Sequence, residues 1–91
     1  LDYAWDEAKR LSNAEKHGLD FRDAPIVLEA EHIVLHAAKS SGQEARSLAT
    51  GVLEGIFVTI IFTMRGSVTR IISMRKARHE EKRRYGDLFG S

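Results

Sequence analysis

The stretch Ser47–Met74, SLATGVLEGIFVTIIFTMRGSVTRIISM, decides the fold. Apolar residues recur with a period of two through Ser47 to Leu53, Ile56 to Met64 and Val68 to Met74, and two short links, Glu54-Gly55 and Arg65-Gly66-Ser67, separate the three runs. Period-two runs joined by glycine-bearing links of hairpin length predict an antiparallel three-stranded meander. The middle run is apolar on both parities. It is therefore expected at the centre of the sheet, with one face under helices.

Upstream, Tyr3-Ala4-Trp5 is apolar enough to start a short strand or to anchor the N-terminus. Asp6 then stands where an N-cap would, ahead of helix formers from Glu7 to His17, and Gly18 follows as a left-handed terminator. A second, shorter helix is expected to end at about Leu28. Its cap is Asp20 or Asp23, and Asp23 is the one that leaves Pro25 in a tolerated first turn. His32 to His36 reads as a brief strand or an apolar tuck, and Lys39 to Gln43 as loop. From Ala77 to about Leu88 the chain reads as a helix supported by pairs such as Glu80 with Arg84. The expectation is an α+β fold in one domain, residues 1–91: a short strand and two helices packed on the meander, then a C-terminal helix.

Ninety-one residues support one core. There are no cysteines, so no thiolate is available as nucleophile or ligand. The longest apolar run, Ile56 to Met64, is too short to span a membrane as a helix. Nothing at the N-terminus reads as a signal peptide, and a cytoplasmic protein is expected. Net charge is +1, yet residues 1–64 carry 6 Lys+Arg against 10 Asp+Glu, while residues 65–91 carry 8 against 3. That asymmetry points to a local surface for a polyanion.

The densest cationic signal is Arg70-Ile71-Ile72-Ser73-Met74-Arg75-Lys76, with Arg65 at the preceding hairpin. Guanidinium groups grip phosphate with two parallel hydrogen bonds, and a strand holds them rigidly. Regular alternation puts Arg70 and Arg75 on opposite faces, so a twist or a bulge near Met74 is needed to bring them together. A lone arginine in such a strand commonly pairs with an acid and only fixes the sheet.

Lys16-His17-Gly18 places a cation and an imidazole at the end of a helix. His17 there is either a proton donor or a simple cap. Glu44 and Arg46, two apart before the first long strand, are a candidate general base and phosphate contact, or a surface ion pair. Tyr85 either packs the last helix or stacks on a base. His32 and His36 are four apart, but nothing near them completes a metal site.

Trp5-Asp6-Glu7-x-Lys9, Asn13, Lys16-His17-Gly18, Phe21 and Ala24, with Arg70-Ile71-Ile72-Ser73-x-Arg75-x-Ala77, Glu81 and Tyr85 in the second half, resemble the BrnT family. The resemblance spans nearly the whole chain. It implies a RelE-like ribonuclease toxin of a type II toxin–antitoxin pair, cleaving RNA without metal or cofactor and arresting translation. It also implies a BrnA-like ribbon-helix-helix antitoxin as partner in a hetero-oligomer. Under that resemblance the expected catalytic residues are Arg70, Arg75, His17 and Glu44, and the expected RNA contacts are Lys16, Arg46, Arg65, Lys76 and Tyr85. The competing expectation is a non-catalytic module that binds nucleic acid or an acidic peptide.

Overall fold

The computed structural model describes residues 2–37 and 45–90. In chain order it has β1 (Asp2–Ala4), α1 (Glu7–His17), a 3₁₀ turn (Phe21–Asp23), α2 (Ala24–Leu28), β2 (His32–His36), β3 (Ser47–Leu53), β4 (Ile56–Arg65), β5 (Val68–Lys76) and α3 (His79–Phe89). The mixed α+β class and the β3–β4–β5 meander agree with the sequence reading. The sheet is larger than expected, with five strands in the order β1-β5-β4-β3-β2. His32–His36 is a true strand, antiparallel to β3 from His32 opposite Gly51 to His36 opposite Ser47. The N-terminal strand is Asp2–Ala4 and lies parallel to β5, with Ala4 opposite Arg70.

Local chemistry places the helices. The Asp6 carboxylate accepts the Lys9 N–H at 3.1 Å to start α1, and Gly18, at φ 69°, ends it by donating its N–H to Ala14 O at 2.8 Å. Asp20 caps the 3₁₀ turn by accepting the Arg22 N–H, and Pro25 sits in the first turn of α2, where its missing N–H costs nothing. The Glu54-Gly55 link has positive φ at both residues, which suits the right-handed twist of a tight hairpin.

Each face of β4 has its own cover. Val58, Ile60 and Phe62 point into a core with Phe21, Ala24, Val27, Ala49, Ile71 and Met74. Phe21, Val27, Ile60 and Met74 are fully buried, and each such side chain contributes about 1.5–3 kcal/mol of transfer free energy. The helix α2 lies so close to β3 that a Cβ at Gly51 would stand 2.8 Å from Val27 Cγ1. Thr59, Ile61 and Thr63 point the other way, toward the side on which α3 packs over β2 and β3.

Candidate functional site

Strand β5 organises the candidate residues, and an irregularity in it sets their geometry. Ile61 pairs with Ser73 and Phe62 with Ile71, so Ile72 is an extra residue without a partner in the ladder. This β-bulge reverses the alternation of β5 beyond it. Arg70 lies opposite Thr63 and Arg75 opposite Thr59. Thr59 and Thr63 are four residues apart on one face of β4, so both arginines lie on that face, about 13 Å apart along the strand. Of the two devices that could bring the arginines to one face, a twist or a bulge near Met74, the structure has the bulge, two residues before Met74.

The two arginines have different surroundings. Arg75 is largely buried and donates from both terminal nitrogens to Glu81, at 2.8 and 2.9 Å. Glu81 is itself 7% exposed, and it also accepts from the Thr59 hydroxyl at 2.9 Å and the Arg78 N–H at 2.7 Å. Thr59 is hydrogen-bonded in turn to Thr50. Burial alone would raise the Glu81 carboxyl, but the hydrogen bonds from Arg75, Arg78 and Thr59 outweigh it and bring the pKa from 4.5 down to about 2. Arg70, half-buried, has no hydrogen-bond or ion-pair partner among the described residues. The same holds for Arg46, which is exposed just before β3.

On the outer edge of β5 the main chain is closed by a side chain from α1. Asn13 donates to Met74 O at 2.9 Å and accepts from Met74 N at 3.2 Å, as a neighbouring strand would. It also donates to Leu19 O and accepts from the Ser73 hydroxyl. Beside this junction a cleft of about 190 Å³ opens between α1 and the bulge, lined by Lys9, Ser12, Asn13, Lys16, His17, Ile72 and Ser73. Lys16 and His17 are thus brought together at β5. Arg70 and Arg75 are not among the walls of that cleft.

The remaining expected residues are dispersed. Lys76 and Arg65 are exposed near opposite ends of the β4–β5 hairpin. Tyr85 stacks edge-on against Phe57, with ring centroids 5.4 Å apart, and lies against Phe89 at 4.8 Å, which is a packing role. Glu44 lies outside the described residues. His32 Nδ1 is bound to Ala30 O and His36 Nδ1 to the Ser47 hydroxyl. No three His, Asp or Glu side chains among the described residues converge on a point that would hold a metal ion. No helix among them is long and apolar enough to cross a membrane.

Sequence reading gave no role to Lys9, Asn13 or Glu81. The available signal was positional: Lys9, Asn13 and Lys16 recur at helical spacing on one face of α1, and Glu81 occupies the first turn of a helix six residues after Arg75.

No curated protein matches the chain. The family model for the ribonuclease toxin BrnT of type II toxin–antitoxin systems matches residues 5–81, a span from Trp5 to Glu81 that takes in α1, the bulged strand and the first turn of α3. The chain belongs to the BrnT family of ribonuclease toxins.

Proposed function

We propose that this chain is a single-domain, RelE-like cytoplasmic endoribonuclease that cleaves RNA without a metal and arrests translation. A BrnA-like ribbon-helix-helix antitoxin holds it inactive in a hetero-oligomer. In this reading the RNA backbone crosses β5. The 2′-hydroxyl attacks the adjacent phosphorus and gives its proton to a base. The 5′-oxygen leaves with a proton from an acid, and the products carry a 2′,3′-cyclic phosphate and a 5′-hydroxyl.

Arg70 and Arg75 stabilise the charge on the phosphorane. Arg75 keeps its Nε–H and one terminal N–H for that task after donating two N–H groups to Glu81, which fixes its orientation, and one to Lys76 O. His17 and Glu44 exchange the protons. Lys16, Arg46, Arg65 and Lys76 bind flanking backbone, and Tyr85 gives the site a packed base.

The observation that carries this reading is the bulge at Ile72, which turns Arg70, a half-buried cation without a partner among the described residues, onto the face of Arg75. A cation in that setting is ready for an anion from outside the chain. Arg70→Ala is expected to reduce RNA cleavage on the order of 10²–10³-fold, the usual effect of removing one preorganised donor. Growth inhibition on induced expression should disappear with it. Because no described group is left unpaired, the melting temperature should stay close to that of the wild type. A folded Arg70→Ala protein that cleaves RNA at the original rate would overturn the assignment.

A second reading, a non-catalytic module for nucleic acid or an acidic peptide, draws on another surface. Leu35 and Leu48 floor a groove of about 440 Å³ lined also by Arg78, His79, Glu80, Glu81 and Arg84, beside β2, the outermost strand of the sheet among the described residues. That reading requires salt-dependent RNA binding without cleavage products.

A further inference from the structure

The face of α1 that lines the cleft carries more charge than the helix itself can use. Lys9, Ser12 and Lys16 lie along one side of α1, with His17 at its end, and Lys9 and Lys16 are two turns apart, about 10.5 Å along the axis. No carboxylate among the described residues lines the cleft. The other cation of this helix, Arg10, is engaged by Glu7 and Asp20. The side chains of Lys9, Lys16 and Ser12 have no hydrogen-bond or ion-pair partner among the described residues.

A structural role accounts for only part of this. Lys16, in the last turn, is favoured there by the carbonyl end of the helix dipole. Lys9 is the third residue of α1, at the end where the dipole disfavours a cation. The dipole therefore gives no reason for a cation at Lys9. Opposite it, the bulge residue Ile72 and Ser73 form the β5 wall of this open cleft.

We propose that Lys9, Ser12 and Lys16 form a phosphate track that holds the single-stranded RNA backbone on one side of the scissile bond. Lys9 and Lys16 each neutralise one phosphate, and the Ser12 hydroxyl donates a hydrogen bond between them. Asn13, which anchors this face of α1 to Met74, is a positioning residue for the track and does not touch the RNA. The proposal rests on the ribonuclease reading for its ligand, but its test does not need cleavage.

The probe is a fluorescent single-stranded oligodeoxynucleotide, which lacks the 2′-hydroxyl and is not cut. Its binding to the full chain is followed by anisotropy over a series of salt concentrations. Each lost phosphate contact on a single strand should reduce the slope of log K against log salt by about 0.7. Lys9→Gln should therefore lower the slope by about 0.7 and the affinity several-fold, and the Lys9→Gln/Lys16→Gln double variant should lower the slope by about 1.4. Lys82→Gln, a charge removed from α3 away from the cleft, should leave the slope unchanged.

Unaltered affinity and slope in the double variant would overturn the proposal, as would an equal loss in Lys82→Gln, which would mean diffuse attraction. A polyglutamate peptide serves as a second probe. If the double variant loses that peptide while keeping the oligonucleotide, the cleft is a protein-docking site and the phosphate track is wrong. Failure of the ribonuclease reading shows separately, as intact RNA in a cleavage assay with the wild-type chain.

Discussion

Glu81→Ala is expected to lower the stability of the protein by about 2–4 kcal/mol, because it leaves the largely buried Arg75 and Thr59 without their shared acceptor. For a domain of this size that is a fall in melting temperature of roughly 10–20 °C. Glu81→Gln should cost less, since the amide oxygen can still accept, but it loses the charge that answers Arg75. The carboxylate also sets a pH dependence. Its folded-state pKa lies below that of the unfolded chain, so its stabilisation is fully present above about pH 4.5 and is lost as the pH falls toward 2.

Urea denaturation of the wild type and Glu81→Gln at several pH values should show a gap of order 2 kcal/mol at neutrality that closes in that window. A Glu81→Ala protein melting within 2 or 3 °C of the wild type would contradict the role assigned to the pair (about 0.5 kcal/mol at most). Cleavage should fall in Glu81→Gln even where it is folded, because Arg75 loses its fixed orientation.

The second large effect is expected at Asn13. Its side chain makes four hydrogen bonds, to Leu19 O, Met74 O, Met74 N and Ser73 Oγ, and alanine would remove them all. Each buried main-chain group left without a partner costs about 1–3 kcal/mol, less where water enters from the neighbouring cleft. A loss of about 2–4 kcal/mol is expected for Asn13→Ala. Asn13→Asp keeps the acceptor for Met74 N but turns a carboxylate toward two carbonyl oxygens, so it should also destabilise. Amide hydrogen exchange at Met74 gives the local readout: its N–H should exchange far faster in Asn13→Ala. If that N–H stays as protected as in the wild type, Asn13 does not seal the edge of β5.

The parts of the fold that could be read in the sequence are those fixed by neighbours in the chain. Asp6 and Gly18 delimit α1 because capping acts over three or four residues, and the β3–β4–β5 meander follows from two-residue hairpins. The strands β1 and β2 were harder because their partners are remote. Asp2–Ala4 pairs with Val68–Arg70 from the far half of the chain, and His32–His36 pairs with β3 across a long connection. In isolation each is a short apolar segment without a distinctive period.

The bulge was legible only as a condition: a twist or a bulge near Met74 was needed for Arg70 and Arg75 to share a face. Ile71 and Ile72 are adjacent and both apolar, so the pattern does not mark where, or whether, the alternation slips. The pairing of Arg75 with Glu81 was hidden for another reason. The two residues are close in sequence, but they belong to a strand and a helix whose relative placement is a tertiary fact.

In the proposed mechanism the side chains of this protein cleave RNA by themselves. The most direct test is to incubate the purified chain with single-stranded RNA in excess EDTA and to identify the ends of the fragments. Cleavage at an undiminished rate is expected, with 2′,3′-cyclic phosphate and 5′-hydroxyl ends. RNA that stays intact in EDTA and is cut when a divalent metal is restored, or fragments bearing 5′-phosphates, would contradict it.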